Sequence, residues 1–309
     1  MKIAIVGCGA MGSVYAGLLA GAGHEVWAID TWREHVDVMR AKGLRVEGAS
    51  GDRVARVHAS TSAADAGPSE LVIIATKTLH VEQAAKAARA IVGPETLVLS
   101  MQNGLGGPDT SARVLGRESV AVGVVGGFGA SMKGPGHVHH NGWELVRLGE
   151  FAGPITPRLE RVAEVWLSAG FKVKCFDDID QLVWEKLICN VCFSGTCAIT
   201  ERTISEVMND RYTWEVATGC AREAYNVARA KGVKLDFDDV VVHVHNFGTK
   251  IPNARPSMLL DHMAGRMSEI DAINGAIPVA ARTVGVEAPF NTVVSALVRA
   301  KERRIGVRA

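Results

Sequence analysis

The feature that most constrains the fold is a glycine-rich turn close to the N-terminus. The segment Gly-Cys-Gly-Ala-Met-Gly at residues 7–12 follows an apolar run at 2–6 that predicts a β-strand, and it opens a predicted helix at 11–22. The first glycine permits a tight turn, the second lets the backbone approach a pyrophosphate, and the third allows close packing of helix on strand. Phosphates would lie against the N–H groups at the helix N-terminus. The pattern predicts dinucleotide binding by Gly7, Gly9, Ala10, Met11 and Gly12.

Asp30 lies 18 positions after Gly12, at the end of the second predicted strand at 25–29. A carboxylate at this position accepts hydrogen bonds from the adenosine ribose and repels a 2′-phosphate, which favours NAD over NADP. Two alternatives stay open, because Asp30 could cap the next predicted helix and Arg33 could pair with a 2′-phosphate. NAD is therefore the expected cofactor, with NADP as the alternative.

The first part of the chain alternates short apolar runs with helical segments. Beyond the two strands named above, buried strands are expected at 70–75, 96–100, 119–125 and 171–176. Such alternation indicates a parallel sheet covered by helices on both faces. The alternating apolar and polar residues between 126 and 149 suggest a hairpin appended to that sheet.

From residue 179 onward the segments show helical spacing, and no strand is obvious. One of these segments, at 257–285, predicts a long helix. The expected fold class is therefore α/β. An N-terminal Rossmann-type doubly wound parallel sheet is expected at 1–178 and an all-α domain at 179–309.

Composition excludes several classes of protein. Lys plus Arg total 34 against 33 for Asp plus Glu, so the net charge of +1 argues against a nucleic-acid binder. No uninterrupted apolar run of about 18 residues occurs, so a membrane-spanning helix is not expected. The first strand begins directly after Met1 without a leader, which favours a cytoplasmic protein.

Cysteine and histidine raise the question of a metal site. The six cysteines stand in apolar or motif contexts and are expected to be buried thiols, although Cys189 and Cys192 form a CxxC that leaves metal or redox work as the alternative. His137 and His139 would share one face of an extended segment beside His140, but no further ligand follows at metal spacing. A surface hairpin is the favoured interpretation, and no metal is expected.

Two polar residues follow predicted strands beside the glycine turn. Lys77 follows the strand at 70–75, and Asn103 follows the strand at 96–100. In a doubly wound sheet, ligands bind beyond the carboxyl ends of the strands. Either residue alone could be a turn or rim residue, but together they favour a binding site.

Further polar candidates lie in the helical part. Lys186, Asn190 and Ser194 recur at i, i+4 and i+8, which places them on one helix face among apolar neighbours. A lysine there is costly unless it has a partner or a task, and its alternative is to extend its ammonium to solvent. The predicted long helix also carries Glu269, for which an exposed carboxylate is the alternative.

Taken in order and spacing, these motifs resemble the ketopantoate reductase (2-dehydropantoate 2-reductase) family over nearly the whole chain. The resemblance rests on GCGAMG at 7–12, Lys77, QNGLG at 102–106, the W-x-K-L-x-x-N helix at 184–190 and S-M-L-x-D at 257–261, with Glu269 and Asn274 following. It implies an oxidoreductase that transfers hydride from a nicotinamide cofactor to the ketone of a 2-oxo acid.

The resemblance also implies roles for individual residues. Lys186 matches the family's catalytic lysine, the general acid that protonates the ketone oxygen, and Glu269 matches the carboxylate near it. An ordinary lysine titrates near about 10.4, so a useful proton donor must be desolvated. Lys77 matches the cofactor-side lysine, and Asn103 also lies at the nicotinamide end. The implied substrate-binding positions are Asn103, Asn190, Ser194 and Ser257.

This chain departs from the family pattern near the substrate and the cofactor. The family typically uses NADPH with a basic residue after the second strand, where this chain has Asp30-Thr31, and Ser194 stands where the family often has an asparagine. Residues 253–256 also differ. Two alternatives therefore stay beside a reductase of ketopantoate or a related 2-oxo acid: an NAD-dependent D-2-hydroxyacid dehydrogenase on the same scaffold, and a non-catalytic NAD(H)-sensing module. A homodimer stays open.

Overall fold

The computed structural model of the chain describes residues 1–127, 129–143 and 145–307. The described residues form two compact units. The first comprises Met1–Gln102 and Gly106–Ile179, and the second comprises Asn103–Leu105 and the chain from Asp180 onward. The sequence analysis expected a single boundary after residue 178, whereas the structure places Asn103–Leu105 with the second unit.

The strands of the described chain all lie in the first unit. Their bounds are β1 (Lys2–Val6), β2 (Glu25–Ile29), β3 (Leu44–Gly48), β4 (Arg53–Ala55), β5 (His58–Ser60), β6 (Leu71–Ile74), β7 (Leu97–Ser100), β8 (Val120–Val125), β9 (Gly129–Gly134), β10 (His137–Gly142), β11 (Leu145–Glu150) and β12 (Lys172–Cys175). Every residue of β6 and β7 is buried, as are the last four residues of β1. Such continuous burial is typical of parallel strands covered on both faces.

The main sheet has the order β12-β11-β8-β7-β6-β1-β2-β5 in the part of the chain that the structure describes. Its strands from β5 to β8 are parallel, and β11 runs antiparallel to β8. The strand order reverses at β1, which pairs with β2 on one side and β6 on the other. In doubly wound sheets this reversal point is where ligands bind.

A smaller sheet corrects the expectation for residues 126–149. Strand β10 pairs antiparallel with β9 but also parallel with β3, so these strands and β4 form a separate sheet of order β4-β3-β10-β9. Strand β11 joins the main sheet instead. The hairpin is therefore not appended to the main sheet. Phe128 and Glu144, which belong to the expected hairpin segment, lie outside the described residues.

Helices cover the main sheet and build the second unit. The first unit has α1 (Ala10–Gly21), α2 (Arg33–Lys42), α3 (Val81–Ala88), α4 (Gly107–Leu115) and α5 (Pro157–Ser168). The chain continues with α6 (Ile179–Thr200), α7 (Ile204–Asn209), α8 (Arg211–Ala230), α9 (Val240–Lys250), α10 (Ser257–Met263), α11 (Ala276–Thr283) and α12 (Pro289–Ile305). The predicted class, a Rossmann-type α/β sheet followed by a helical region, is confirmed for the described residues.

Helix α6 organises the core of the second unit. Nine buried hydrophobic side chains between Trp184 and Ala198 belong to one core cluster with buried side chains of α8, α10 and α12. By its length and its mean hydropathy of 1.3, α6 could cross a membrane. The search for uninterrupted apolar runs did not detect it, because polar residues interrupt the helix. However, 67% of its most apolar 18-residue stretch is buried inside the protein, and a helix in a protein core meets the same criteria of length and hydropathy.

The close packing of the glycine turn can be tested by substitution. A Cβ at Gly12 would lie 2.1 Å from the carbonyl oxygen of Gly7, whereas a Cβ at Gly9 would meet no other described residue within 4 Å. We expect Gly12→Ala to lower the free energy of unfolding by about 1–3 kcal/mol, because backbone must move to relieve the overlap. Gly9→Ala is the matched control and should leave stability nearly unchanged. Urea denaturation of both variants measures the difference, and equal effects would contradict this account of the turn.

Candidate active site

The glycine turn lies at the reversal point of the main sheet. Gly7 has a φ of +95°, a conformation that side chains rarely adopt, and its N–H donates to the carbonyl of Ile29 at 2.8 Å. A Cβ at Gly7 would come within 2.5 Å of Thr76 Cγ2. The turn after β1 therefore lies directly against the segment after β6, which carries Lys77.

The N-terminus of α1 suits an anion. Gly9 precedes the helix, no described side chain caps it, and its first turn holds no acidic residue. The N–H groups of Ala10 and Met11 therefore belong to a helix start without a competing carboxylate. Together with the open space beside Gly9, this local geometry fits a pyrophosphate.

Asp30 follows β2 at the same edge of the sheet. One carboxylate oxygen, Oδ1, accepts the N–H of Trp32 at 2.9 Å, just before α2 begins at Arg33. Asp30 therefore supports the approach to α2 without being its cap, since Trp32 occupies the cap position. Among the described residues no hydrogen bond reaches Oδ2, so that oxygen can accept a ligand hydroxyl.

Lys77 and Gln102 complete this edge within the first unit. Lys77 is half-buried and lies three residues beyond the end of β6. The sequence patterns named Gln102 only as part of the QNGLG motif and gave it no role. Its side-chain amide donates to the carbonyls of Ile74 and Thr76 at 2.7 and 3.2 Å. These bonds fix the segment from which Lys77 extends.

In the second unit, Asn103 brings two of the predicted residues together. Its Oδ1 accepts a hydrogen bond from Lys186 Nζ at 2.7 Å, and its Nδ2 donates to Glu269 Oε2 at 3.3 Å. The three side chains come from separate parts of the sequence but form one hydrogen-bonded group. All three are half-buried, so they are partly withdrawn from solvent while staying accessible.

The backbone around Asn103 is fixed by a close approach. Gly104 has a φ of +76°, and a Cβ there would lie 2.1 Å from the carbonyl oxygen of Ala272. Leu105 N–H donates to that same carbonyl at 2.9 Å. Only glycine at position 104 allows this contact, which explains why Asn103–Leu105 belongs to the second unit.

Glu269 lies outside any long helix, contrary to the sequence analysis. The structure ends α10 at Met263 and begins α11 at Ala276, so the expected helix at 257–285 is wrong. The intervening segment, 264–275, is not helical and consists mainly of turns, and Glu269 lies between two of them. The apolar residues on both sides of this segment have helical spacing, so the sequence pattern did not reveal the break between α10 and α11.

Buried polar side chains hold this turn segment in place. Glu302 on α12 is buried, and its Oε1 accepts hydrogen bonds from Ser268 N–H, Ser268 Oγ–H and His262 Nε2 at 2.9, 2.7 and 3.1 Å. Asn274 donates to the carbonyl of Val191 on α6 at 2.8 Å. These bonds flank Glu269 and set its backbone position, and the sequence analysis assigned neither Glu302 nor Ser268 to this task.

The other predicted substrate residues occupy different environments. Asn190 is half-buried one turn after Lys186 on α6, as the spacing implies. Ser194, another turn on, is only 3% exposed and lies within the core. Ser257 is exposed at the start of α10. A role in substrate binding for these three residues stays a prediction.

Five of the six cysteines are buried as expected, whereas Cys175 is only half-buried. All six cysteines are free thiols, and burial raises the pKa of Cys189 to about 12. On β10, His137 and His139 pair with Glu47 at 3.0 and 3.4 Å, while His140 is buried. No group of three or more His, Cys, Asp or Glu residues within the described ranges is arranged to hold a metal ion.

Comparison with known proteins decides the family. A family model described as "Ketopantoate reductase PanE/ApbA" matches residues 3–153, and one described as "Ketopantoate reductase PanE/ApbA C terminal" matches residues 178–302. The chain belongs to the ketopantoate reductase family. The resemblance drawn from the sequence motifs is therefore confirmed, and the chain is an oxidoreductase of this family.

Individual relatives and solved structures match this chain over 98% or more of its length. A curated relative from Pyrococcus horikoshii, named 2-dehydropantoate 2-reductase, is 33% identical over 302 residues, covering 98% of each chain. A ketopantoate reductase from Ralstonia eutropha JMP134 superimposes with a TM-score of 0.91 at 35% identity, covering 99% of this chain and 100% of that chain. D-mandelate dehydrogenase, solved with NADH and anilino(oxo)acetate, matches with a TM-score of 0.91 at 27% identity over 100% of both chains.

The site geometry predicts a stabilising role for Glu302. We expect Glu302→Ala to lower the free energy of unfolding by about 1–3 kcal/mol, because buried donors at residues 262 and 268 lose their acceptor. Glu287→Ala, at an exposed position, is the control and should change it by less than about 0.5 kcal/mol. Urea denaturation compares the two variants. An equally small effect of both would show that Glu302 does not hold the turn segment.

Proposed function

We propose that this protein reduces the ketone of a 2-oxo acid with a nicotinamide cofactor, and that Lys186 is the general acid. The observation that carries the proposal is the hydrogen-bonded group of Lys186, Asn103 and Glu269 in a member of the ketopantoate reductase family. An ammonium, an amide and a carboxylate in contact can bind a 2-oxo acid and supply a proton to its ketone oxygen.

The first unit supplies the features that a dinucleotide needs. The open space at Gly9 and the uncapped start of α1 suit the pyrophosphate, with Gly7 and Gly12 shaping the turn and Ala10 and Met11 opening the helix. Asp30 would accept the ribose hydroxyls through Oδ2, and Lys77 would contact the cofactor from the neighbouring strand end. Reduced nicotinamide, when bound, supplies the hydride.

The second unit supplies the proton. Lys186 carries its ammonium proton beside Asn103 Oδ1, which fixes the direction of the amine at 2.7 Å. As the ketone carbon gains two electrons and a hydrogen, its oxygen becomes basic and takes a proton from Nζ. The product is a 2-hydroxy acid, and Lys186 is left as a neutral amine that regains its proton from solvent. Before transfer, the ammonium stabilises the growing negative charge on oxygen.

Glu269 tunes this arrangement through the asparagine. By accepting the Asn103 Nδ2 hydrogen, the carboxylate polarises the amide and makes Oδ1 a stronger acceptor for Lys186. We assign Glu269 to orienting the donor and the substrate hydroxyl, with Asn103, Asn190, Ser194 and Ser257 as further substrate-binding residues.

A second candidate function is NAD-dependent D-2-hydroxyacid dehydrogenation on the same scaffold. Asp30 favours it, since a carboxylate repels the 2′-phosphate of NADP. Ser194 also favours it, since a shorter side chain stands where the family often has an asparagine. The full-length match to D-mandelate dehydrogenase, which was solved with NADH, points the same way. The NAD(H)-sensing module that the sequence left open gains no support, because the curated relatives are named as reductases.

The role of Lys186 is testable by replacement. We expect Lys186→Ala to lower kcat by about 10²–10⁴-fold, because proton transfer loses its donor, while the Kd for the cofactor stays nearly unchanged. Stopped-flow and fluorescence titration measure the two quantities. Lys234→Ala, at an exposed position of the same unit, is the control and should keep normal turnover. Normal turnover by Lys186→Ala would exclude this residue as the acid.

Cofactor and substrate class are tested together. We expect kcat/KM with NADH to exceed that with NADPH by roughly tenfold, because Asp30 repels the 2′-phosphate, and Asp30→Ala to narrow the ratio. Steady-state assays should use a panel that includes ketopantoate and the 2-oxo acid of mandelate. A strong preference of the unmodified protein for NADPH would contradict the role of Asp30, and turnover of no 2-oxo acid would contradict the proposed reaction.

A further inference from the structure

A fully buried histidine lies beneath the glycine turn. His35 on α2 has no exposed surface, and its Nδ1 accepts the N–H of Gly136 at 2.7 Å. Its Nε2 lies 3.3 Å from Ser13 Oγ, and Ser13 Oγ–H donates to the carbonyl oxygen of Cys8 at 2.7 Å. A chain of hydrogen bonds therefore connects the turn between β9 and β10 to the middle of the glycine turn.

The directions of these bonds fix the protonation state of His35. The backbone N–H of Gly136 can only donate, so Nδ1 must carry a lone pair. The Ser13 hydroxyl uses its hydrogen on Cys8, so Nε2 must be the donor to Oγ. His35 is therefore neutral, with its single ring N–H hydrogen on Nε2. Each hydrogen bond in the series then has one defined donor and one defined acceptor.

The last link sets the direction of the Gly9 N–H, a group that would face a bound phosphate. In a planar trans peptide the carbonyl and the following N–H point to opposite sides. The Ser13 hydroxyl holds the Cys8 carbonyl on the buried side, so the Gly9 N–H points away from Ser13. Gly9 is exposed and precedes α1, where backbone N–H groups bind phosphate.

We propose that neutral His35 is a positioning residue for the phosphate-binding turn, and that its protonation weakens dinucleotide binding. This inference rests on the proposed function, since it assumes that the turn binds a nicotinamide dinucleotide. His35 acts through Ser13 and Cys8 and does not touch the ligand. The protonated ring would place an N–H on Nδ1 directly against the Gly136 N–H, so one of these contacts must break and the chain must shift.

The surroundings of His35 support the neutral form. Burial lowers the pKa of His35 below its ordinary value of 6.5, and the carboxylate of Asp30 at the end of β2 opposes this shift. The other titratable neighbour is Cys8, whose thiol pKa is raised by burial and which stays uncharged. Ser13 on α1, Gly136 and the stacked Trp32 ring contribute no charge. The hydrogen-bond chain is thus complete above about pH 6.5 and is lost as the pH falls through the lowered pKa.

The test measures the Kd for NAD⁺ by titration calorimetry from about pH 5 to pH 8, a range in which NAD⁺ itself does not titrate. For the unmodified protein we expect the Kd to rise by about 3- to 10-fold toward the acid end, as the chain of hydrogen bonds is lost. His35→Gln can still donate to Ser13 but cannot be protonated. It should bind nearly normally at pH 8 and lose the rise in acid.

Further variants separate positioning from general destabilisation. Ser13→Ala breaks the link to Cys8 and should raise the Kd several-fold at every pH, whereas His58→Gln, an exposed histidine on β5, should keep the unmodified pH profile. A Kd independent of pH in the unmodified protein, or an acid rise retained by His35→Gln, would overturn the proposal. Absence of binding of both NAD⁺ and NADP⁺ at pH 8 would instead contradict the proposed function, and this inference with it.

Discussion

One side-chain amide holds the candidate active site together. Asn103 accepts from Lys186 with its oxygen and donates to Glu269 with its nitrogen, so the orientation of the amide is set by both partners. The amide therefore connects the ammonium of Lys186 to the carboxylate of Glu269. It can do so only because Gly104 and Leu105 fix the backbone against Ala272.

Local sequence patterns predicted much of the fold. The glycines at 7, 9 and 12 and the apolar runs of β1, β6 and β7 carry their information within a few residues, because strand burial and tight turns depend on near neighbours. The spacing of Lys186 and Asn190 likewise placed both on α6. Where a short segment determines its own structure, its sequence alone is sufficient to predict that structure.

The remaining features depend on partners far along the chain. The turns at 264–275 are held by Glu302, which lies more than 30 positions from Ser268 and has no local signature. The pairing of β10 with β3 joins residues about 90 positions apart. His35 on α2 accepts the N–H of Gly136, which lies 101 positions further along the chain. In each case a polar or backbone contact of long range decides the structure, and hydrophobic periodicity does not record it.

The chain passes between the two units at more than one point. Asn103–Leu105 belongs to the second unit, although the residues on both sides belong to the first. A fragment beginning at Asp180 would therefore retain Lys186 and Glu269 but lack the amide that bridges them. Cutting the chain once before Asp180 would leave the helical half without part of its candidate active site. The two halves are therefore not modules that evolution or engineering can exchange with a single cut.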